Sequence, residues 1–232
     1  MAETGASTWL RPVNEWFYDA LGRLIGTRDA NGNTRLNEYD AAGQLVRSFD
    51  AFGQATLYAY DALGQVTGYT NRNGHTWNYG YDLAGRRVSE TTPEQWILTV
   101  DAAGTQSFVT RRVVTRSQYD ALGNVIARIE NADTTQSRIT RYEYDSRGHQ
   151  VRTIFPDAGK IDPASGRLVA SGLQPTIEVG YDALGRAVVQ KDVRGNHSYK
   201  VYDALGQLLY DIDAENYVTG NSYDGFGQKS QL

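Results

Sequence analysis

Three histidines and a recurring tyrosine–aspartate pair are the residues of this sequence with chemistry within reach; cysteine is absent. His75, His149 and His197 each stand one or two residues after a turn glycine, far apart in the chain. No two of them have the i, i+4 spacing of a helical metal pair, and no carboxylate set accompanies them. The many aspartates could suggest calcium, but the glycine-rich nonapeptide of a calcium-binding β-roll is missing. Serines occur without a Gly-x-Ser-x-Gly elbow, and there is no Gly-x-x-x-x-Gly-Lys-Ser/Thr phosphate loop. These absences lead to an expectation of no cofactor, no metal and no enzymatic activity.

The tyrosine–aspartate pair instead has mechanical sense. It opens Tyr18-Asp19-Ala20-Leu21-Gly22 and returns with Gly at the same offset as Tyr39-Asp40 with Gly43, Tyr60-Asp61 with Gly64, and Tyr81-Asp82 with Gly85. Further copies are Tyr119-Asp120 with Gly123, Tyr144-Asp145 with Gly148, Tyr181-Asp182 with Gly185, Tyr202-Asp203 with Gly206, and Tyr223-Asp224 with Gly227. The period is 21 residues from Tyr18 to Tyr81 and again from Tyr181 to Tyr223. A fixed period of this length marks a repeat architecture. Asp-x-x-Gly suits a type I turn, with Asp accepting a backbone N–H and a left-handed Gly closing a hairpin through a bulge. Weaker turns of the same kind lie between the tyrosine copies, at Asp29–Gly32, Asp50–Gly53, Asn71–Gly74 and Asp192–Gly195. Turns every 10 or 11 residues leave strands of roughly 5–7 residues. The expected fold class is all-β: an array of antiparallel β-hairpins forming a curved, extended sheet strip.

The elements that carry the motif fill nearly the whole chain. Residues 1–15 read as a non-repeat arm whose Thr8–Pro12 could cover the first strand; residues 16–232 read as the array, irregular at 83–118 and 146–180. The second irregularity holds Pro156, Pro163 and Pro175, and reads either as a partner-contact loop or as a tolerated surface insertion. Arg111, Arg112 and Arg116 form the one basic cluster, read as a solvated strand face or a docking patch. Hydrophobic content of 40% and mean hydropathy of −0.52 are low for a large compact core, and neither face of the strands is uniformly apolar. A single-layer sheet with aromatic rows follows. Those tyrosines could stack on sugars or hold the sheet together as cross-strand pairs; one at every turn argues for the structural role. A net charge of −4 gives no case for nucleic acid. No membrane span and no signal peptide are legible, so synthesis in the cytoplasm is expected.

The run Tyr-Asp-Ala-Leu-Gly-Arg-Leu-Ile at period 21, nearest at Tyr18–Ile25 and Tyr181–Val188, closely resembles the YD-repeat, or rearrangement-hotspot (Rhs), family over about residues 16–230. Bacterial Rhs proteins, toxin-complex BC shells and teneurins belong to it. The resemblance implies a strip that spirals into a hollow shell enclosing a toxic C-terminal domain, used in bacterial competition or against a host, and exported as part of a larger toxin. The alternative it implies is a carbohydrate-binding or cell-surface adhesion module. Partners are then the remaining repeats of a parent shell or a second copy, met through the C-terminal strand edge, together with an enclosed toxin domain or, on the alternative, a glycan. Family shells end in an Asp-Pro-x-Gly-rich self-cleaving segment; only Asp162-Pro163 is present here, so no protease residue is carried over. Roughly 20 strands at ~4.8 Å give a strip of about 95 Å, which reads as a piece of such a shell or as a short orphan array.

Overall fold

The computed structural model describes residues 13–100, 104–134, 137–166 and 168–230. The expected N-terminal cover Thr8–Pro12 and residues 101–103 of the irregular 83–118 stretch lie outside them. Contacts divide the chain into two units, one running to Ile97 together with Val109–Val113, the other made of Leu98–Phe108 and the residues from Val114 onward.

The first unit is an antiparallel run in chain order: β1 (Glu15–Tyr18), β2 (Leu24–Arg28), β3 (Thr34–Tyr39), β4 (Leu45–Phe49), β5 (Ala55–Tyr60), β6 (Val66–Thr70), β7 (Thr76–Tyr81) and β8 (Arg87–Thr91). A separate two-stranded hairpin follows, β9 (Gln95–Val100) and β10 (Gln106–Arg111), tied by Thr99 Oγ1 to Ser107 Oγ at 2.9 Å. The second unit continues with β11 (Val114–Tyr119), β12 (Val125–Glu130), β13 (Arg138–Tyr144) and β14 (Gln150–Ile154). The proline-bearing insert forms its own small hairpin, β15 (Lys160–Ile161) with β16 (Leu168–Val169). The main ladder passes the insert by: β14 pairs directly with β17 (Thr176–Tyr181), and then come β18 (Ala187–Lys191), β19 (His197–Tyr202), β20 (Leu208–Ile212) and β21 (Val218–Gly220). A last hairpin, β22 (Ser222–Tyr223) with β23 (Lys229–Ser230), carries the final motif. Each unit is thus an open antiparallel strip, and the described residues contain no helix.

The turns explain why the chain zigzags. At Asp19 the amide of Gly22 bonds the Asp19 carbonyl at 3.0 Å, and the Asp19 amide bonds the Arg23 carbonyl at 3.0 Å. That ring pattern is a type I turn closed by a glycine bulge. The glycines of the nine tyrosine turns have φ between +76° and +89°, where a Cβ is disfavoured. The weaker turns follow the same scheme, and Asn216 at φ +67° stands in for glycine after Asp213.

Neither unit has a dry core. Ala127, 6% exposed, is the one buried hydrophobic side chain among the described residues. The apolar side chains are half-covered by strand neighbours, as in a sheet solvated on both faces. Stability here comes from the ladder and from cross-strand pairs, each worth roughly 0.2–1 kcal/mol, rather than from a desolvated interior.

Gly64 sits at φ +81°, and the Gln44 side chain lies 3.3 Å from where its Cβ would stand. Gly64→Ala should therefore destabilise the chain by about 1 kcal/mol or more, read as a lowered thermal midpoint. An unchanged midpoint would show that the turn does not depend on the glycine.

Candidate functional site: the tyrosine side of the strip

Because the strands alternate in direction, all tyrosine turns of a unit lie along one long side and all weaker turns along the other. The motif residues meet there in a repeated arrangement that begins with a second irregularity, three residues beyond the turn glycine. In β1–β2 the pairs are Phe17 with Gly26 and Tyr18 with Leu24, so Ile25 has no partner. The same shift leaves Val46, Thr67, Val88, Ile126, Val151, Val188 and Leu209 unpaired beside the other tyrosines from Tyr39 to Tyr202. A bulge disrupts the ladder locally and bends the bulged strand. It throws the carbonyl of the preceding residue off the ladder, toward the next hairpin.

The tyrosine of that next hairpin donates its hydroxyl to this carbonyl. Tyr39 bonds the Leu24 oxygen at 2.9 Å, Tyr60 that of Leu45 at 2.8 Å, and Tyr81 that of Val66 at 2.8 Å. In the second unit Tyr144 bonds Val125 at 2.9 Å, Tyr181 bonds Gln150 at 3.1 Å, and Tyr223 bonds Leu208 at 3.0 Å. Tyr181 does so across the whole insert. These rings are half-buried, whereas Tyr18, in the first strand, is 59% exposed. Burial raises the phenol pKa of Tyr60 and Tyr144 above its ordinary value.

The aspartates hold the turns from inside. Asp61 Oδ1 accepts the amides of Leu63 and Gln65 at 2.9 Å each, while Oδ2 accepts the Gln65 side chain at 2.9 Å. Asp19, Asp82, Asp120, Asp145 and Asp182 repeat this with Arg23, Arg86, Asn124, His149 and Arg186 four residues on. The Arg23, Gln65, Arg86 and Arg186 amides are the leading cause that holds Asp19, Asp61, Asp82 and Asp182 below the ordinary carboxylate range; for Asp120 and Asp145 it is the side chains of Asn124 and His149. The fourth-residue side chain also reaches the next repeat. Arg23 lies 4.9 Å over the Tyr39 ring and donates to the Asp40 carbonyl at 3.2 Å; Arg186 lies 4.6 Å over Tyr202; His149 stacks on Tyr181 at 4.8 Å. At these three turns the aspartate, the fourth-residue clamp and the neighbouring tyrosine form one line of contact into the next hairpin.

Sequence reasoning placed the tyrosines, aspartates and glycines beside each turn. It missed the second bulge, the hydroxyl-to-carbonyl bond and the clamp. Two apolar residues in succession after the turn, as in Leu24-Ile25, Leu45-Val46 and Leu208-Leu209, were the available signal for the bulge, since an unbroken strand would send them to opposite faces. The histidines are not brought together, and no group of three or more His, Cys, Asp or Glu side chains suited to a metal occurs among the described residues. Of the basic cluster, Arg116 pairs with Asp133 at 2.6 Å.

Tyr60→Phe removes one hydroxyl-to-carbonyl bond and should destabilise by about 0.5–1.5 kcal/mol, while Tyr217→Phe, at a ring 74% exposed, should leave the thermal midpoint unchanged; equal effects would contradict the strapping role. The turn aspartates also set a pH dependence. Their folded values lie below the ordinary 3.8, so their stabilisation is complete above that value and is lost as pH falls through the lower folded ones. The midpoint measured by circular dichroism should be level from about pH 7 to 5 and fall below about pH 4; a midpoint level down to about pH 2 would show that the carboxylates do not hold the turns.

A family model described as RHS Repeat matches residues 39–76, 60–95 and 119–160. No curated protein matches the sequence. Among solved structures, the crystal structure of TcdB2-TccC3-Cdc42 is similar at 19% identity over 94% of this chain and 15% of that one, with a TM-score of 0.31. The TcdB2-TccC3 crystal structure without its hypervariable C-terminal region stands at 17%, 94%, 15% and 0.29, and a mutant Photorhabdus luminescens Tc holotoxin pore at 19%, 94%, 15% and 0.29. This chain spans about 15% of the length of those chains. The model matches residues 39–95 and 119–160, so these stretches of the Tyr-Asp-x-x-Gly array are RHS repeats.

Proposed function

We propose that residues 16–232 form a wall segment of a β-shell that encloses a toxic domain, with a structural rather than an enzymatic role. One observation carries this reading. The hydroxyls of Tyr39, Tyr60, Tyr81, Tyr144, Tyr181 and Tyr223 are engaged by backbone carbonyls of the preceding hairpins. Rings held that way join repeats, and their hydroxyls are already spent on the backbone rather than free to bond a sugar stacked on the ring face. A sheet with no core and two wet faces suits a wall, which needs extent rather than bulk. The RHS repeats matched at residues 39–95 and 119–160 support the same role.

On this reading the partners are further repeats or a second copy, joined by strand addition beyond the last hairpin, and a toxin domain on the enclosed side. The product leaves the cell as part of a larger toxin. The test is limited proteolysis of the gene product purified whole from its native cells, with light scattering to read its association. A non-repeat polypeptide should resist proteinase K while the strip is folded and be digested once urea unfolds it. Repeats recovered as a monomer, with no protected polypeptide beside them, would sink the proposal.

A further inference from the structure

The insert between β14 and β17 is closed at its base by a carboxylate that does not belong to the repeat motif. Asp157 Oδ1 accepts the Gly159 amide at 2.7 Å and the Ser171 hydroxyl, and Oδ2 accepts the Gly172 amide at 2.7 Å. Nearer the ladder, the Phe155 amide bonds the Pro175 carbonyl at 2.8 Å. A turn aspartate such as Asp61 reaches residues two and four positions on, whereas Asp157 reaches residues 14 and 15 away. It pins two chain segments together rather than shaping one turn.

Beyond this pin the backbone is lightly held. β15 and β16 are two residues each and pair only with one another. So short a two-stranded sheet is marginal in water, and its outer edges are open to strand addition. Lys160 is exposed, and Ile161 is 64% exposed. An endopeptidase holds its substrate as an added extended strand. This segment can be drawn into one without breaking a rung of the main ladder, as exposed loop tips generally can.

The chain has four lysines, and their places make the segment selective. Lys191 lies in β18, paired on both sides, and reaches Glu178 at 3.6 Å. Lys200 lies in β19 and reaches Asp211 at 2.8 Å. Lys229 stands in β23, in the last hairpin. Upstream of that hairpin, Lys160 is the lysine that stands off the main ladder.

Several contacts span the two sides of the insert. Three ladder pairs join β14 to β17, and Arg152 meets Glu178 at 3.2 Å. Arg147 Nη1 donates to the Ala183 carbonyl at 2.8 Å, and the Tyr181 hydroxyl bonds Gln150. None of these runs through the loop beyond Asp157.

We propose that the Lys160–Ile161 bond is a processing site for a lysine-specific serine endopeptidase, and that Asp157 keeps the cut strip whole. Water adds across the amide, leaving a carboxylate on Lys160 and an ammonium on Ile161. One chain becomes two while the β14–β17 seam stays closed. The site is independent of the wall reading, because it concerns how the strip withstands a cut and not what the strip encloses.

The experiment treats the whole chain with a lysine-specific serine endopeptidase under native conditions. Mass spectrometry locates the cuts, and size-exclusion chromatography reads whether the fragments stay together. The first cut upstream of Lys229 should follow Lys160, with fragments that elute together in buffer and apart in urea. Lys160→Gln should remove that cut and leave the thermal midpoint unchanged. Asp157→Ala should still be cut, but its fragments should separate at a concentration at least about tenfold higher, as loss of bonds to a charged group requires. No cut after Lys160, an earlier cut after Lys191 or Lys200, fragments of the unsubstituted chain that elute apart in buffer, or equal cohesion in Asp157→Ala would overturn the assignment.

Discussion

A sheet one layer thick has no interior to hold it together, so each seam between hairpins must carry its own stability. In this chain the seam is weakest beside the tyrosine turns, where the bulge at residues such as Val46 or Thr67 takes a carbonyl out of the ladder. β4 and β5 share only the pairs from Arg47–Leu57 to Phe49–Ala55 before they part. The Tyr60 hydroxyl reaches across that opening to Leu45. The tyrosine is thus less a surface aromatic than a replacement for a missing rung, and its position follows from where the bulge falls.

The clamp four residues after six of the tyrosine-turn aspartates works on the same seam from the turn side. Its chemistry varies, as Arg23, Gln65, Asn124 and His149 show, while its geometry does not: one polar group on the aspartate of its own turn. Where it is long or flat it also covers the next tyrosine ring. Loss of any one bond opens one seam, because its neighbours are closed by bonds of their own.

Turn positions, strand count and the one-layer character were legible because each rests on local rules: Asp-x-x-Gly chemistry, a 21-residue period and mixed polarity on both strand faces. The strap was not legible, because it joins residues 15 apart in Tyr60 and Leu45 and 31 apart in Tyr181 and Gln150. No local pattern encodes that distance. That β9 and β10 form a separate sheet was not legible, since pairing partners are a property of the whole ladder.

The direct pairing of β14 with β17 has a consequence for how such a chain can change over time. The 155–175 excursion leaves the ladder and returns to it with Tyr181 still bonded to Gln150. Twenty-odd residues were accommodated without altering the contacts on either side. A strip built this way separates growth from repair: blocks can be added, lost or interrupted at a turn, and every remaining joint keeps its strength. Its length is then set by the number of hairpins, with no limit set by a core.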